Sequence, residues 1–235
     1  MAPTNHNHDQ GHQLTRVAAI YDDIAPSWDG RQGLVERRLM GKAMRASLAS
    51  HLTGDVLEIG TGTGATLPFL APKASAIASL TGTDLSHGML MEARRTARSL
   101  GPPVSLVRMN AEALAFADAA FDTVTTSLML CTVPDPARAL REMARVLRPG
   151  GRVVLLEHVR APNPLLALSQ RALTPLQVRM LGCHLDRRTD KLVRELGFRV
   201  EHEETRFFDV FHLIVARPPV PLRSPGRSVG DARRQ

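Results

Sequence analysis

The stretch Val56-Leu57-Glu58-Ile59-Gly60-Thr61-Gly62-Thr63-Gly64 decides the fold. The short apolar run from Asp55 to Ile59 reads as a strand, and glycine then stands at every second position. Glycine turns a backbone sharply and lets a ligand lie against the main chain. A strand that ends in such a loop and opens into a helix is the first unit of a nucleotide-binding α/β sheet. The acid sets it apart from a dinucleotide site. There the spacing is Gly-x-Gly-x-x-Gly and a diphosphate sits on the helix N-terminus, whereas Glu58 beside the turn repels phosphate. Glu58 suits a ligand with a cationic end, or orients the loop amides by accepting their hydrogen bonds.

Strands and helices alternate outward from this loop. A weaker strand is expected at 79–83, further strands at 104–109 and 121–128, and another at 152–157 behind the turn Pro149-Gly150-Gly151. Ser86 caps a helix whose Met89, Leu90, Ala93 and Ala97 share a face. Asp135 and Pro136 open a second helix that runs to about Leu147. A third, 188–196, stops at Gly197, and the closing strands 199–205 and 211–217 are joined so briefly that they pair antiparallel. The class is α/β, a mostly parallel Rossmann-like sheet with helices on both faces. Ligands of such sheets bind beyond the carboxyl ends of the strands, here just after Ile59, Thr83, Met109, Ser127 and Glu157.

Candidate binding residues gather at those ends. Gly60, Thr61, Gly62 and Gly64 form the loop beside Glu58. Asp84 ends the second strand and is placed to accept both hydroxyls of a ribose. Leu85 and Met89 follow it. Asn110, at the end of the third strand, reaches for an adenine amine, and the Ala111 amide for a ring nitrogen. Glu112 and Ser127 complete the set. S-adenosylmethionine has the required adenosine, sulfonium and ammonium and no phosphate.

The segment from about Tyr21 to Arg217 resembles the class I S-adenosylmethionine-dependent methyltransferases of the type 11 group, which includes the quinone-biosynthesis C-methyltransferases. Asn110-Ala-Glu-Ala-Leu-Ala-Phe-Ala-Asp118 followed by Phe121-Asp122 looks like that group's third and fourth motifs, and Leu147-Arg-Pro-Gly-Gly151 like the turn before its fifth strand. The group usually has Asp where this chain has Asn110. The resemblance implies seven strands with the last antiparallel, and cofactor contacts at Gly60, Gly62, Asp84, Asn110 and Ala111. Leu128-Met-Leu-Cys131-Thr-Val133, Glu157-His158-Val159 and Gly182-Cys183-His184-Leu185 further resemble a subgroup that includes animal alkyl-thiol S-methyltransferases, whose N-terminal hydrophobic anchor this chain lacks. That likeness implies a small lipophilic acceptor, a thiol foremost. Phospholipid or other amine N-methylation and C- or O-methylation of a quinone or natural product are the alternatives. A binding protein without catalysis, such as a sensor or assembly partner, is the alternative outside enzymes.

His158 ends the fifth strand and faces the site mouth by the strand rule, where it would take the acceptor's proton. His184 is a weaker candidate of the same kind. Tyr21 and Trp28 lie in Ile20-Tyr-Asp-Asp-Ile-Ala-Pro-Ser-Trp28-Asp29, which related enzymes fold over the cofactor as a lid. Residues 164–182, apolar with Arg171 and Arg179 interspersed, are expected as a helical cover packed on the core, with peripheral contact to a lipid surface as the alternative.

Composition bounds the rest. With 235 residues, 43% hydrophobic, the chain makes one domain, expected at 17–217 between a flexible tail at 1–16 and a flexible basic tail at 218–235. The net charge of +7 owes much to Arg223, Arg227, Arg233 and Arg234 of that tail. No aromatic residue interleaves with them, so no nucleic-acid partner is expected. Cys131 and Cys183 are expected as free thiols in a reducing cytoplasm, Cys131 as a small buried residue. No apolar run reaches the ~18 residues of a membrane span. His6, His8 and His12 are loosely spaced without a completing Cys or carboxylate, so no metal site is expected.

Overall fold

The computed structural model describes residues 6–30, 39–70, 76–98 and 104–219. Seven strands form one sheet: β1 (Gly54–Ile59), β2 (Ile77–Asp84), β3 (Ser105–Arg108), β4 (Phe121–Ser127), β5 (Leu147–His158), β6 (Arg199–Arg206) and β7 (Phe211–Arg217). Their order is β3-β2-β1-β4-β5-β7-β6. The pairs from β3 to β5 are parallel, and β7 runs antiparallel between β5 and β6. The order reverses between β1 and β4, so the carboxyl ends of these two strands frame the crevice where such sheets bind ligands.

Helices cover both faces: α1 (His6–Ile24), α2 (Gly41–Ser50), α3 (His87–Arg98), α4 (Pro136–Val146), α5 (Pro164–Leu181) and α6 (Thr189–Glu195). One buried cluster joins Leu57, Val124, Val153 and Ile214 of the sheet to Leu140 and Met143 of α4 and Val193 of α6. The opposite cluster joins Val56, Val154 and Leu213 to Met44 and Leu48 of α2. Adjacent strand residues enter opposite clusters because side chains alternate across a sheet. The central strands are buried on both faces and so carry continuous apolar runs.

The capping residues behave as the sequence indicates. Ser86 Oγ accepts from the Met89 amide at 3.0 Å, and Asp135 caps α4 by accepting from the Arg138 amide at 2.9 Å.

Two segments differ from expectation. Helix α1 begins at His6, inside the stretch expected as a flexible tail. Helix α5 buries Ala167 and Gln170, while Leu165, Leu168, Leu173, Leu176 and Met180 stay exposed, so it is not the core-packed cover expected. Its docking is polar: Gln170 accepts from the Ala161 amide at 2.8 Å and donates to the Val159 and Leu185 carbonyls. The basic tail from 220 onward lies outside the described residues.

Candidate active site

A cavity opens at the carboxyl ends of β1, β2 and β4, roofed by α1. Of the residues singled out by sequence, Tyr21, Glu58, Gly60, Thr61, Gly62, Asp84, Leu85, Met89, Asn110, Ala111 and Ser127 line it. Gly64, Glu112 and His158 stand outside the lining. Gly64 serves packing: a Cβ there would meet Leu67 Cδ1 at 2.8 Å. Glu112 holds the next loop, accepting from the Asp135 amide at 2.8 Å.

The loop glycines divide the labour. A Cβ on Gly60 would lie 2.4 Å from Met129 Cγ, so Gly60 makes room for the turn after β4. Gly62, with φ +56°, has open space where a Cβ would stand, which leaves its backbone bare to the cavity.

Two acids, Glu58 buried and Asp84 half-buried, set the electrostatics. Glu58 Oε2 accepts from Thr61 Oγ1 at 2.7 Å, and burial raises its pKa. Asp84 accepts from the Gly62 amide through Oδ2 and from the Ser86 amide through Oδ1, both at 2.9 Å, and burial raises its pKa too. A carboxylate offers about four acceptor sites, so accepting capacity remains beyond these two bonds. Two hydroxyls of a ribose match that reserve.

Among the described residues, the charged side chains lining the cavity are Arg45, Glu58 and Asp84. Arg45 is engaged, donating to Ser127 Oγ at 3.0 Å. A cavity with two acids and one engaged cation fits a ligand that is cationic at one end and hydroxylated in its middle. Asn110 Oδ1 accepts from the Glu112 amide at 3.0 Å, which shapes the wall on which an adenine would lie.

The sequence left Arg45, Asp22 and Asp29 unmarked. Asp22 accepts from Ser86 Oγ at 2.6 Å and from the Gly88 amide at 2.8 Å. Partial burial works against its charge, but these two bonds outweigh it and hold its pKa below the usual value. Asp29 accepts from Thr63 Oγ1 at 2.8 Å. Both tie the Tyr21–Trp28 segment, whose two rings lie 5.4 Å apart, to the cofactor loops. No local pattern reveals them, because the partners lie far apart along the chain.

Beside the cavity, the turn after β4 carries Cys131 between the lining residues Leu128, Met129, Thr132 and Val133. His158 Nε2 lies 3.3 Å from Cys183 Sγ, and the His184 amide donates to the Cys131 carbonyl at 2.9 Å. Both cysteines are free thiols. The two sulfurs titrate as a pair: Cys183 and burial push the Cys131 thiol up, while the contacts with Cys131 and then His158 lower Cys183. Burial raises Glu157 to about 7; its Oε1 accepts from the Met129 and Leu130 amides, both at 3.1 Å.

The family described as a methyltransferase domain matches residues 57–155. A phosphatidylethanolamine N-methyltransferase of Cereibacter sphaeroides is 38% identical over 63% of this chain and 72% of its own length. A ubiquinone/menaquinone biosynthesis C-methyltransferase of Roseobacter denitrificans is 34% identical over 66% of this chain and 64% of its own. A solved S-adenosylmethionine-dependent methyltransferase of Thermotoga maritima shares the fold, with TM-score 0.63 and 21% identity over 86% of this chain and 99% of that one.

Proposed function

The chain belongs to the class I S-adenosylmethionine-dependent methyltransferases of the type 11 group, and from that premise we propose that its acceptor is a small lipophilic thiol. The observation that carries the acceptor reading is the Cys131, His158 and Cys183 group beside the cofactor cavity. Soft sulfur and imidazole donors at that place suit a sulfur acceptor better than a carbon acid. When bound, S-adenosylmethionine supplies an electrophilic methyl on its sulfonium.

The chain's own residues do the rest. Asp84 and the bare Gly62 backbone hold the nucleoside, Glu58 sets the loop and faces the cationic end, and Asn110 and Ala111 border the base. Asp22 and Asp29 keep the Tyr21–Trp28 segment closed, which excludes water from the transfer. His158 works on the acceptor's side of the site. Positioning supplies most of the rate, because a thiol ionises near pH 8.5 and needs little further activation.

An acceptor screen with labelled cofactor tests this. Aliphatic thiols are expected to take label; label on phosphatidylethanolamine or a quinone instead overturns the thiol. The amine is the second reading, favoured by the similarity to the Cereibacter enzyme. His158→Ala is expected to lower turnover and leave S-adenosylhomocysteine affinity in calorimetry as it was; unchanged turnover removes His158 from the acceptor side.

The exposed leucines of α5, flanked by Arg171 and Arg179, are the surface to which we assign a peripheral contact with anionic lipid, the phase from which a lipophilic acceptor comes. Among the described residues, no helix is long and apolar enough to cross a membrane.

A further inference from the structure

Three remote segments bring soft donors together. Cys131 sits in the turn after β4, His158 is the last residue of β5, and Cys183 follows Gly182, which ends α5 in a left-handed conformation. The two sulfurs and one imidazole nitrogen all lie within 4.8 Å of one another. The ligand atoms of a tetrahedral zinc ion lie about 3.5–3.8 Å apart, given bonds of about 2.3 Å to sulfur and 2.0 Å to nitrogen. The His158–Cys183 separation is already 3.3 Å, so shifts of under about 1 Å complete the site.

A second observation points to a missing cation. Glu157 is fully buried, and its Oε2 has no hydrogen-bond partner. A buried acceptor without a donor or cation is unfavourable. Arg187 donates to the Leu130 carbonyl on the neighbouring turn.

We propose that Cys131, His158 and Cys183 bind one Zn2+ ion, whose fourth position receives the acceptor thiol as its thiolate. Thiolates and imidazole select zinc among common divalent ions, and two cysteines with one histidine and an open position make a reactive site rather than a closed structural one. Both cysteines bind zinc as thiolates and release to solvent whatever protons they hold, and coordination of the acceptor thiol releases one more. The metal then does for the acceptor what a free base would do, and it uses His158 as a ligand. The sequence singles out all three residues by family likeness but not as ligands, since residues 131, 158 and 183 show no close metal-ligand spacing.

The role of the fourth position rests on the thiol reading above; the metal site does not. Protein purified without chelator is expected to contain about one zinc per chain. Cys183→Ser and His158→Ala are expected to lower that content more than about tenfold, since changes even outside the ligand shell cost 10–100-fold. S-adenosylhomocysteine binding measured on the same variants shows that they fold. Cobalt(II) in place of zinc is expected to give thiolate charge-transfer absorption, and an added alkyl thiol to shift the visible bands.

Absence of zinc together with no cobalt spectrum overturns the site, as does a Cys131–Cys183 disulfide that takes up no metal after reduction. A cobalt spectrum indifferent to thiol overturns the open position. Thiol methylation by metal-free protein sinks this inference and spares the acceptor reading. A responsive metal site in an enzyme that methylates only amines does the reverse.

Discussion

Asp84 accepts a loop amide on each carboxylate oxygen, and on the reading proposed above its remaining capacity takes the ligand. Asp84→Asn keeps the shape and loses the charge and half the accepting capacity. Charge-assisted bonds are worth about 1.5–3 kcal/mol, so calorimetry is expected to show S-adenosylhomocysteine binding about 10–100-fold weaker. Gly62→Ala places a methyl in the open space and strains a left-handed backbone, and is expected to weaken the same binding while folding persists. Gly60→Ala drives a Cβ into Met129 and is expected to lower the melting temperature as well. Glu58, Asp84, Gly60 and Gly62 could be singled out as residues of the cavity because they stand in short-range pattern at the end of one strand or the next. Arg45, Asp22 and Asp29 were not, since each acts on a partner brought in by tertiary packing.

At the scale of elements, α1 and α5 part most from what their residues suggest. The lid end of α1 is fastened by Asp22, whose pKa is lowered in the folded protein. The sign follows: the tie is present above the ordinary carboxyl pKa of 3.8 and is lost as pH falls through the depressed one. Trp28, the one tryptophan of the chain, reports on it. Its fluorescence is expected to shift on acidification below about pH 4, and Asp22→Asn to show the acid-like emission already at neutral pH. Identical spectra for the two proteins at neutral pH would show that Asp22 does not hold the lid. Apolar residues along 164–182 promised a buried helix, because hydrophobicity alone does not say what covers a face. Leu168→Ser is therefore expected to change unfolding free energy by less than about 0.5 kcal/mol, whereas Leu140→Ala in the fully buried face of α4 costs about 2–5 kcal/mol. Cosedimentation with phosphatidylglycerol vesicles is expected for the native protein and not for Leu165→Ser/Leu168→Ser; equal sedimentation of both removes the lipid contact from α5.

Over the whole molecule, the ligand crevice and the stability of the sheet are linked. S-adenosylhomocysteine at about 100 times its dissociation constant adds about 2.7 kcal/mol to the folded state, and a domain of this size is expected to melt about 5–10 °C higher. No shift at saturation would contradict the cavity as the cofactor site. Sheet class, strand count and the antiparallel close were readable, the first from alternating patterns and the others from family likeness and a short final link. Which helix faces meet solvent was not, since that depends on what neighbours are present. The placing of β7 between β5 and β6 carries a consequence for biosynthesis. β6 leaves the ribosome before the strand it must pair with, so it waits without a partner while the edge of β5 stays bare. Until β7 slots between them, the growing chain exposes an adhesive flank, and the cell has to shield it.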